Sequence, residues 1–107
     1  MPSISVIIPT FNEAAHIRQA LQSVEWADEL IIVDSYSTDN TLEIARQFPV
    51  RILQNTYKGP ADQKNWTIPQ ATHSWVLLLD ADERVTPQLA DEIRHTLQGP
   101  NPKDAYW

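Results

Sequence analysis

The strongest constraint on the fold of this chain is the alternation of short apolar runs with segments of helical periodicity. Four runs, rich in β-branched residues, cover residues 3–8, 29–33, 50–53 and 75–79 and are predicted to be strands. Between them, apolar residues recur three or four positions apart, which predicts helices. Strands that are apolar on both sides, in the order β-α-β-α-β-α-β-α, predict a Rossmann-like α/β fold. Its sheet is mainly parallel, with helices on both faces.

Capping residues and prolines predict where the elements begin and end. The first strand is expected to stop at Pro9, and the first helix to reach about Trp26. The third helix, residues 61–71, should end or kink at Pro69, and Thr86 followed by Pro87 should begin the fourth. Gly99 and Pro100 should end that helix, before a further strand at 105–107. Candidate N-caps are Thr10 or Asn12 for the first helix, and Ser37, Thr38 or Asp39 for the second.

Composition excludes several classes of protein. The chain has 107 residues, enough for one compact domain, and no cysteine, so disulfides and thiolate chemistry are excluded. Its net charge of −6 is a poor match for nucleic acid, which is recognised by clustered Lys and Arg. We expect no signal peptide and no membrane span, which needs roughly 18 consecutive apolar residues. A phosphate ligand would therefore be attracted by a divalent cation rather than by overall charge.

Polar clusters follow three of the predicted strands. They are residues 9–13 after the first strand, residues 34–35 after the second, and residues 80–82 after the fourth. Ligands of open parallel sheets bind beyond the carboxyl ends of the strands, so these clusters predict a binding site there. A second interpretation is that these are ordinary polar loops, whose carboxylates cap helices without any ligand.

The most suggestive cluster is the pair Asp80 and Asp82, followed by Glu83. Three carboxylates in four residues repel one another, unless water solvates them or a cation binds. On an extended segment, Asp80 and Asp82 would point to the same side and offer hard oxygen ligands to Mg²⁺ or Mn²⁺. The alternative is a solvated turn before the next helix.

Single residues in the other clusters each allow two interpretations. Asp34 can accept hydrogen bonds from a base or a ribose, or it can form an Asx-turn. Phe11 can lie against a flat base or pack on the first helix. Lys64 can neutralise a phosphate or be an exposed helical lysine. With only Gly59 and Gly99 in the chain, neither a P-loop nor a GxGxxG loop can form, and the histidines lack zinc-ligand spacing.

Four segments together resemble a known family. SVIIPTFNE at 5–13, IIVDSYSTDNT at 31–41, KGPADQKNWTI at 58–68 and WVLLLDADE at 75–83 occur in order. They resemble the successive motifs of the family 2 inverting glycosyltransferases, which have the GT-A nucleotide-diphospho-sugar transferase fold. The QKN and DADE details are most similar to bacterial glycosyltransferases of the lipopolysaccharide core.

The resemblance implies a role for each matching position. Asp34 would bond the base, which is uracil if the donor is a UDP-sugar. Lys64 would lie near the diphosphate, Asp80 would face the ribose and the metal, and Asp82 would ligate the metal. Ser35 and Tyr36 depart from the family pattern after Asp34. The nucleotide-sugar-binding residues implied are Pro9, Thr10, Phe11, Glu13, Asp34, Lys64, Asp80 and Ala81, and the metal ligands are Asp80 and Asp82.

The resemblance also implies that residues 1–107 form only the donor half of the enzyme. The catalytic base of the family lies well downstream of the DxD motif, and none of Glu83, Asp91, Glu92 or Asp104 matches it. The intact protein would transfer a sugar, with inversion, to a carbohydrate or lipid-linked acceptor. We expect it in the cytoplasm, with the inner face of the membrane as an alternative location. The chain alone is expected to be inactive and to self-associate through an exposed sheet edge.

Two rival functions share the same residues. In phosphatases of the haloacid dehalogenase type, a DxD after an apolar strand supplies the nucleophile, which would be Asp80. Those motifs usually have Thr or Val where this chain has Arg84, and they follow the first strand rather than the fourth. The other rival is a nucleotide-sugar-binding fragment without turnover.

Overall fold

A computed structural model describes residues 3–73 and 75–97, and it has the predicted α/β architecture. Within these residues the sheet has four strands in the order β3-β2-β1-β4, and every neighbouring pair is parallel. The strands are β1 (Ile4–Thr10), β2 (Glu29–Asp34), β3 (Val50–Gln54) and β4 (Trp75–Leu78). The helices are α1 (Ile17–Gln22), α2 (Thr41–Ala45), α3 (Pro60–Thr67) and α4 (Pro87–Leu97), with a 3₁₀ turn at Ile68–Gln70.

Alternate residues of each strand enter two different cores, so both faces of the sheet are covered. On one face, Ile8 and Ile32 pack with α1, α2 and α4 in the main core. On the other face, Ile7 and Ile31 pack against the 3₁₀ turn that follows α3. This two-sided burial explains why the strands are continuous apolar runs rather than alternating ones.

The first strand continues past the predicted stop at Pro9. β1 pairs with β2 as far as Thr10 opposite Asp34, whereas its pairing with β4 ends at Ile7 opposite Leu78. Pro9 lacks an N–H, but it lies beyond the last β4 pair, so the strand tolerates it. The extension places Thr10 at the rim of the sheet rather than at a helix cap.

Most of the predicted caps of the first two helices are wrong. The N-cap positions are His16 for α1 and Asn40 for α2, and neither side chain makes a capping hydrogen bond. Asp39 is an exception, because its carboxylate accepts the N–H of Thr41, the first residue of α2, at 2.9 Å. The other predicted caps bond across to the neighbouring loop, as described below. The first helix is also shorter than predicted, because α1 ends at Gln22 rather than near Trp26.

The boundaries predicted from proline are confirmed in the second half of the chain. α3 ends at Thr67, and Pro69 lies in the 3₁₀ turn that follows. The Thr86 hydroxyl accepts the N–H of Leu89 at 3.1 Å, and α4 begins at Pro87. The predicted stop at Gly99 and Pro100 and the predicted strand at 105–107 lie outside the described residues. Within the described ranges, none of the helices has the length and apolarity of a bilayer-crossing segment.

Candidate functional site

The order of the strands brings the three polar clusters to one edge of the sheet. From β1 the chain moves outward through β2 and β3, and then returns to form β4 on the other side of β1. The carboxyl ends of β2 and β4 therefore flank the carboxyl end of β1, which makes this the topological switch point of the sheet. Crevices at such points are where open α/β sheets bind ligands.

Asp34 is the polar centre of this edge. It ends β2, its side chain is completely buried, and both of its oxygens accept hydrogen bonds. Oδ1 accepts the hydroxyls of Thr10 at 2.7 Å and Ser37 at 2.5 Å, and Oδ2 accepts the Ser37 N–H at 2.8 Å. In this structure Asp34 therefore organises the rim beneath the site, and its contact with a base stays a prediction.

Side chains also fasten the loop after β1 to the loop after β2. The Asn12 N–H donates to the Ser37 hydroxyl, and the Asn12 side-chain oxygen accepts the Thr38 N–H, both at 2.8 Å. Asn12 has a φ of 52°, a left-handed conformation that Asn tolerates better than most residues. Asn12, Ser37 and Thr38, which the sequence predicted as helix caps, therefore bond one another across the two loops instead.

A second set of bonds completes this fastening. The Glu13 N–H donates to the Thr41 hydroxyl at 2.9 Å, and the Ala14 N–H donates to Asp39 at 3.2 Å. The Thr41 hydroxyl also donates to Asp39, and this bond is the main reason why the pKa of Asp39 is lowered. Both loops are thus held in place before any ligand arrives.

A cavity of about 530 Å³ opens above these loops. Three aromatic side chains surround it, and each is more than half exposed: Phe11, Tyr36 and Tyr57. Pro9, Thr10, Ser35, Thr56 and Gln63 complete its lining. Exposed aromatic faces around an open cavity offer stacking surfaces for a planar ring such as a nucleobase.

A second cavity, of about 340 Å³, lies between the ends of β1 and β4. It shares Pro9, Tyr57 and Gln63 with the first cavity, so the two cavities adjoin, and together they are called the cleft below. Lys64 of α3 and Asp80 after β4 line this part. The cleft is therefore aromatic at one end and carries opposite charges at the other.

The carboxylates after β4 form a turn rather than an extended segment. The Glu83 N–H donates to the Asp80 carbonyl at 2.9 Å, and the Asp80 N–H donates to the Glu83 carboxylate at 3.0 Å. The prediction that Asp80 and Asp82 share one side of an extended strand end is thus wrong. Ala81 between them is buried in the main core, which fixes the turn against the domain.

Asp80 is in an environment that disfavours its charge. Its pKa is raised, first by burial and then by the negative charges of Glu83 and Asp82, although Lys64 partly opposes this. A cation bound at this turn would offset the charges of Glu83 and Asp82 and so lower the pKa of Asp80. Asp80 and Asp82 supply hard oxygen donors, which are the ligands that Mg²⁺ and Mn²⁺ prefer.

The turn fits a cation shared with a ligand, not one enclosed by protein. Among the described residues, no group of three or more His, Cys, Asp or Glu side chains converges on a point that could hold a metal ion. Mg²⁺ usually binds through one or two carboxylates together with substrate phosphates and water. The pair Asp80 and Asp82 matches that pattern.

The predicted site residues occupy different layers of the cleft. Pro9, Thr10 and Phe11 line the aromatic end, while Lys64 and Asp80 line the charged end. Asp34 and Ala81 are buried beneath it, and Asp82 is exposed on the turn. Glu13 is half-buried, and its backbone leads into α1 by accepting the N–H groups of His16 and Ile17 at 2.9 Å.

Sequence reasoning missed four residues that line the aromatic end of the cleft: Tyr36, Thr56, Tyr57 and Gln63. Tyr57 lies in the segment that joins β3 to α3, and Gln63 lies in α3 itself. The sequence indicated these two parts only as a turn and a helix start. The available signal was their place after the carboxyl end of a parallel strand, the same rule that identified the other clusters.

The parallel sheet and the cleft at its switch point define an open α/β protein of the class that binds ligands beyond the carboxyl ends of its strands. Residues 5–103 match the family described as Glycosyl transferase family 2, and the chain belongs to that family. The resemblance read from the four sequence segments is thereby confirmed, and the fold is that of the GT-A transferases.

Several bacterial glycosyltransferases are similar to this chain over most of its length. An uncharacterized glycosyltransferase of Rickettsia felis is 39% identical over 99% of this chain and 38% of its own length. The lipopolysaccharide core biosynthesis glycosyltransferase LpsC of Rhizobium meliloti is 32% identical over 88% of this chain and 37% of its own. The chain thus spans little more than a third of these relatives.

A solved structure has the same fold. Glucosyl-3-phosphoglycerate synthase of Mycobacterium tuberculosis, in complex with UDP, superimposes with a TM-score of 0.75 and 25% identity. The match covers 92% of this chain and 41% of the synthase. That synthase has also been crystallised with Mn²⁺, UDP and glucosyl-3-phosphoglycerate.

Proposed function

We propose that this chain forms the donor site of a metal-dependent, inverting glycosyltransferase that uses a nucleotide-diphospho-sugar, most simply a UDP-sugar. The observation that carries the proposal is the pair of adjoining cavities, one lined by aromatic side chains and the other by charged ones. A nucleoside diphosphate has the same order of parts, with a flat base, a ribose and then a charged diphosphate. Family membership supports the reaction class.

Each part of the ligand has a counterpart in the cleft. The base would stack among Phe11, Tyr36 and Tyr57, where each stacked ring contributes about 1–3 kcal/mol. Lys64 would bond the diphosphate, and Asp80 would lie beside it. The overall negative charge of the chain makes these local contacts necessary, because bulk charge repels a diphosphate.

Asp80 and Asp82 would hold a divalent cation together with the diphosphate oxygens. Such a cation, when bound, neutralises the negative charge that develops on the departing diphosphate. Lys64 contributes in the same direction, so this half of the enzyme acts electrostatically on the leaving group. The UDP and Mn²⁺ complexes of the mycobacterial synthase support this class of ligand.

The acceptor side of the reaction belongs outside this chain. A base would remove the proton from an acceptor hydroxyl, whose oxygen then attacks the anomeric carbon from the face opposite the diphosphate. We expect that base downstream of residue 107 in the intact enzyme, so the chain alone would bind donor without turnover. The similarity to LpsC, which is named for lipopolysaccharide core biosynthesis, supports a carbohydrate or lipid-linked acceptor. A location in the cytoplasm or at the inner face of the membrane stays a prediction.

Self-association through a sheet edge stays a prediction. In the described residues, β3 and β4 are the outer strands of the sheet, and exposed edges pair readily with other chains. Light scattering over a range of concentrations measures this directly, and a monomer at high concentration would contradict it. The phosphatase alternative receives no support from the family match or from the relatives described above.

Calorimetry with UDP tests the proposed function. The purified protein should bind UDP more tightly with Mn²⁺ than without it, and Asp82→Ala should remove the gain. Asp91→Ala is the matched control, because Asp91 is an exposed acid on α4, away from the cleft. UDP binding that depends neither on Mn²⁺ nor on Asp82 would refute the assignment.

A further inference from the structure

Gln63 has an unexplained buried polar atom. Its side chain is only 6% exposed, and its Oε1 atom is buried with no hydrogen-bond partner among the described residues. Buried amide oxygens are almost always satisfied, because leaving one unpaired costs free energy. An unpaired one at a cleft is therefore a position where a bound ligand can supply the missing hydrogen bond.

The backbone of α3 holds Gln63 in a fixed place. Its N–H donates to the Gly59 carbonyl at 3.1 Å, and its carbonyl accepts the Thr67 hydroxyl at 2.7 Å. Thr67 is itself buried and lines the charged end of the cleft. Only the side-chain torsions of Gln63 are thus left to adapt to a ligand.

Gln63 lies where the two ends of the cleft join. It lines both the aromatic cavity and the charged cavity, as do Pro9 and Tyr57. In a nucleoside diphosphate, the ribose is the part that connects base and diphosphate. A nucleotide with its base in the first cavity and its phosphates in the second therefore places the ribose beside Gln63.

We infer that Gln63 hydrogen-bonds the ribose hydroxyls of the donor nucleotide and so selects ribonucleotides over deoxyribonucleotides. The inference rests on the proposed function. A primary amide carries an acceptor and a donor, as does a vicinal diol. Rotation about the last torsion of Gln63 presents either end of the amide to the cleft, so the unpaired oxygen becomes available through one side-chain movement.

The test compares UDP with 2′-deoxy-UDP and 3′-deoxy-UDP by calorimetry in the presence of Mn²⁺. The unsubstituted protein should bind UDP about 5- to 10-fold more tightly than at least one deoxy analogue. Gln63→Met keeps the size of the side chain without its hydrogen bonds, and it should bring this ratio close to one. The control Gln47→Met, at an exposed position after α2, should keep the full ratio.

Each outcome bears on a different statement. A protein that binds UDP but does not discriminate against either deoxy analogue, or a Gln63→Met variant with the original ratio, would overturn this inference and leave the proposed function standing. Failure to bind UDP under any metal condition would overturn both. If Gln63→Met does not fold, Gln63→Leu provides the same comparison, and thermal unfolding verifies the fold of each variant.

Discussion

Glu29 provides a quantitative test of how the sheet is held together. It begins β2, at the end of the sheet opposite the cleft, and its carboxylate accepts four hydrogen bonds. The donors are the Ser5 hydroxyl at 2.7 Å, the Thr72 N–H at 2.9 Å, the Thr72 hydroxyl at 2.8 Å and the Arg51 guanidinium at 3.0 Å. Glu29 thereby links β1, β2, β3 and the segment before β4.

These bonds determine the charge state of Glu29. Burial alone would raise its pKa, but the Thr72 N–H, the hydroxyls of Ser5 and Thr72, and Arg51 together outweigh burial and lower the pKa to about 2. The fall from 4.5 is equivalent to about 3 kcal/mol of folding free energy at neutral pH. Arg51 is 44% exposed, so solvent screens its share, and we expect about 2 kcal/mol in practice.

The lowered pKa fixes the sign of the pH dependence. Glu29 stabilises the protein fully above its unfolded pKa of 4.5, and this stabilisation is lost as the pH falls towards 2. Glu29→Gln should therefore lower the free energy of unfolding by about 2 kcal/mol at pH 7. The difference between the two proteins should shrink steadily below about pH 5.

Urea unfolding from pH 7 to pH 3 measures this difference. Glu25→Gln, which changes an exposed glutamate, is the control and should leave stability nearly unchanged. The Glu29→Gln variant should still bind UDP with the original affinity once folded, because Glu29 is remote from the cleft. A loss of stability that is the same at pH 3 and at pH 7 would refute the electrostatic reasoning.

Three further changes test the cleft itself. Asp34→Asn should destabilise the protein by about 2–4 kcal/mol in urea unfolding, because an amide group would face donors that now bond a buried carboxylate; an effect below 0.5 kcal/mol would contradict this. Tyr57→Ala should weaken UDP binding by about tenfold in calorimetry, whereas Tyr57→Phe should not, and equal losses in both would exclude stacking. Asp80→Asn should raise the melting temperature of the metal-free protein and remove the Mn²⁺ dependence of UDP binding, so a lower melting temperature would contradict charge repulsion at this turn.

The fold was predictable because one physical requirement determines most of it. A parallel sheet buried on both faces needs continuous apolar strands, and Ile31, Ile32 and Val33 in β2 show this pattern without interruption. The rule that ligands bind at the carboxyl ends of such strands then predicts the edge on which the cleft lies. Both the strand pattern and the position of the cleft can thus be predicted without knowing which distant residues contact each other.

The cap of the first helix and the carboxylate turn could not be predicted in the same way. Thr10 has capping-box spacing to Glu13, but it donates instead to Asp34, which is 24 residues away. A local pattern does not reveal such competition, because a capping bond and a long-range bond have similar energies. Likewise, the sequence does not show that Ala81 is buried in the core and bends the segment between Asp80 and Asp82 into a turn.

The surroundings of three carboxylates, Glu29, Asp34 and Asp80, support the proposal of a cation at the cleft. Glu29 and Asp34, at opposite ends of β2, are each satisfied by N–H and hydroxyl donors from neighbouring segments. Asp80 instead lies beside two other carboxylates, and its pKa is raised rather than lowered. Repulsion of this kind does not stabilise the fold, so Asp80 is better explained by a ligand than by a structural role. The raised pKa of Asp80 therefore supports the proposal that this turn binds a metal together with the diphosphate.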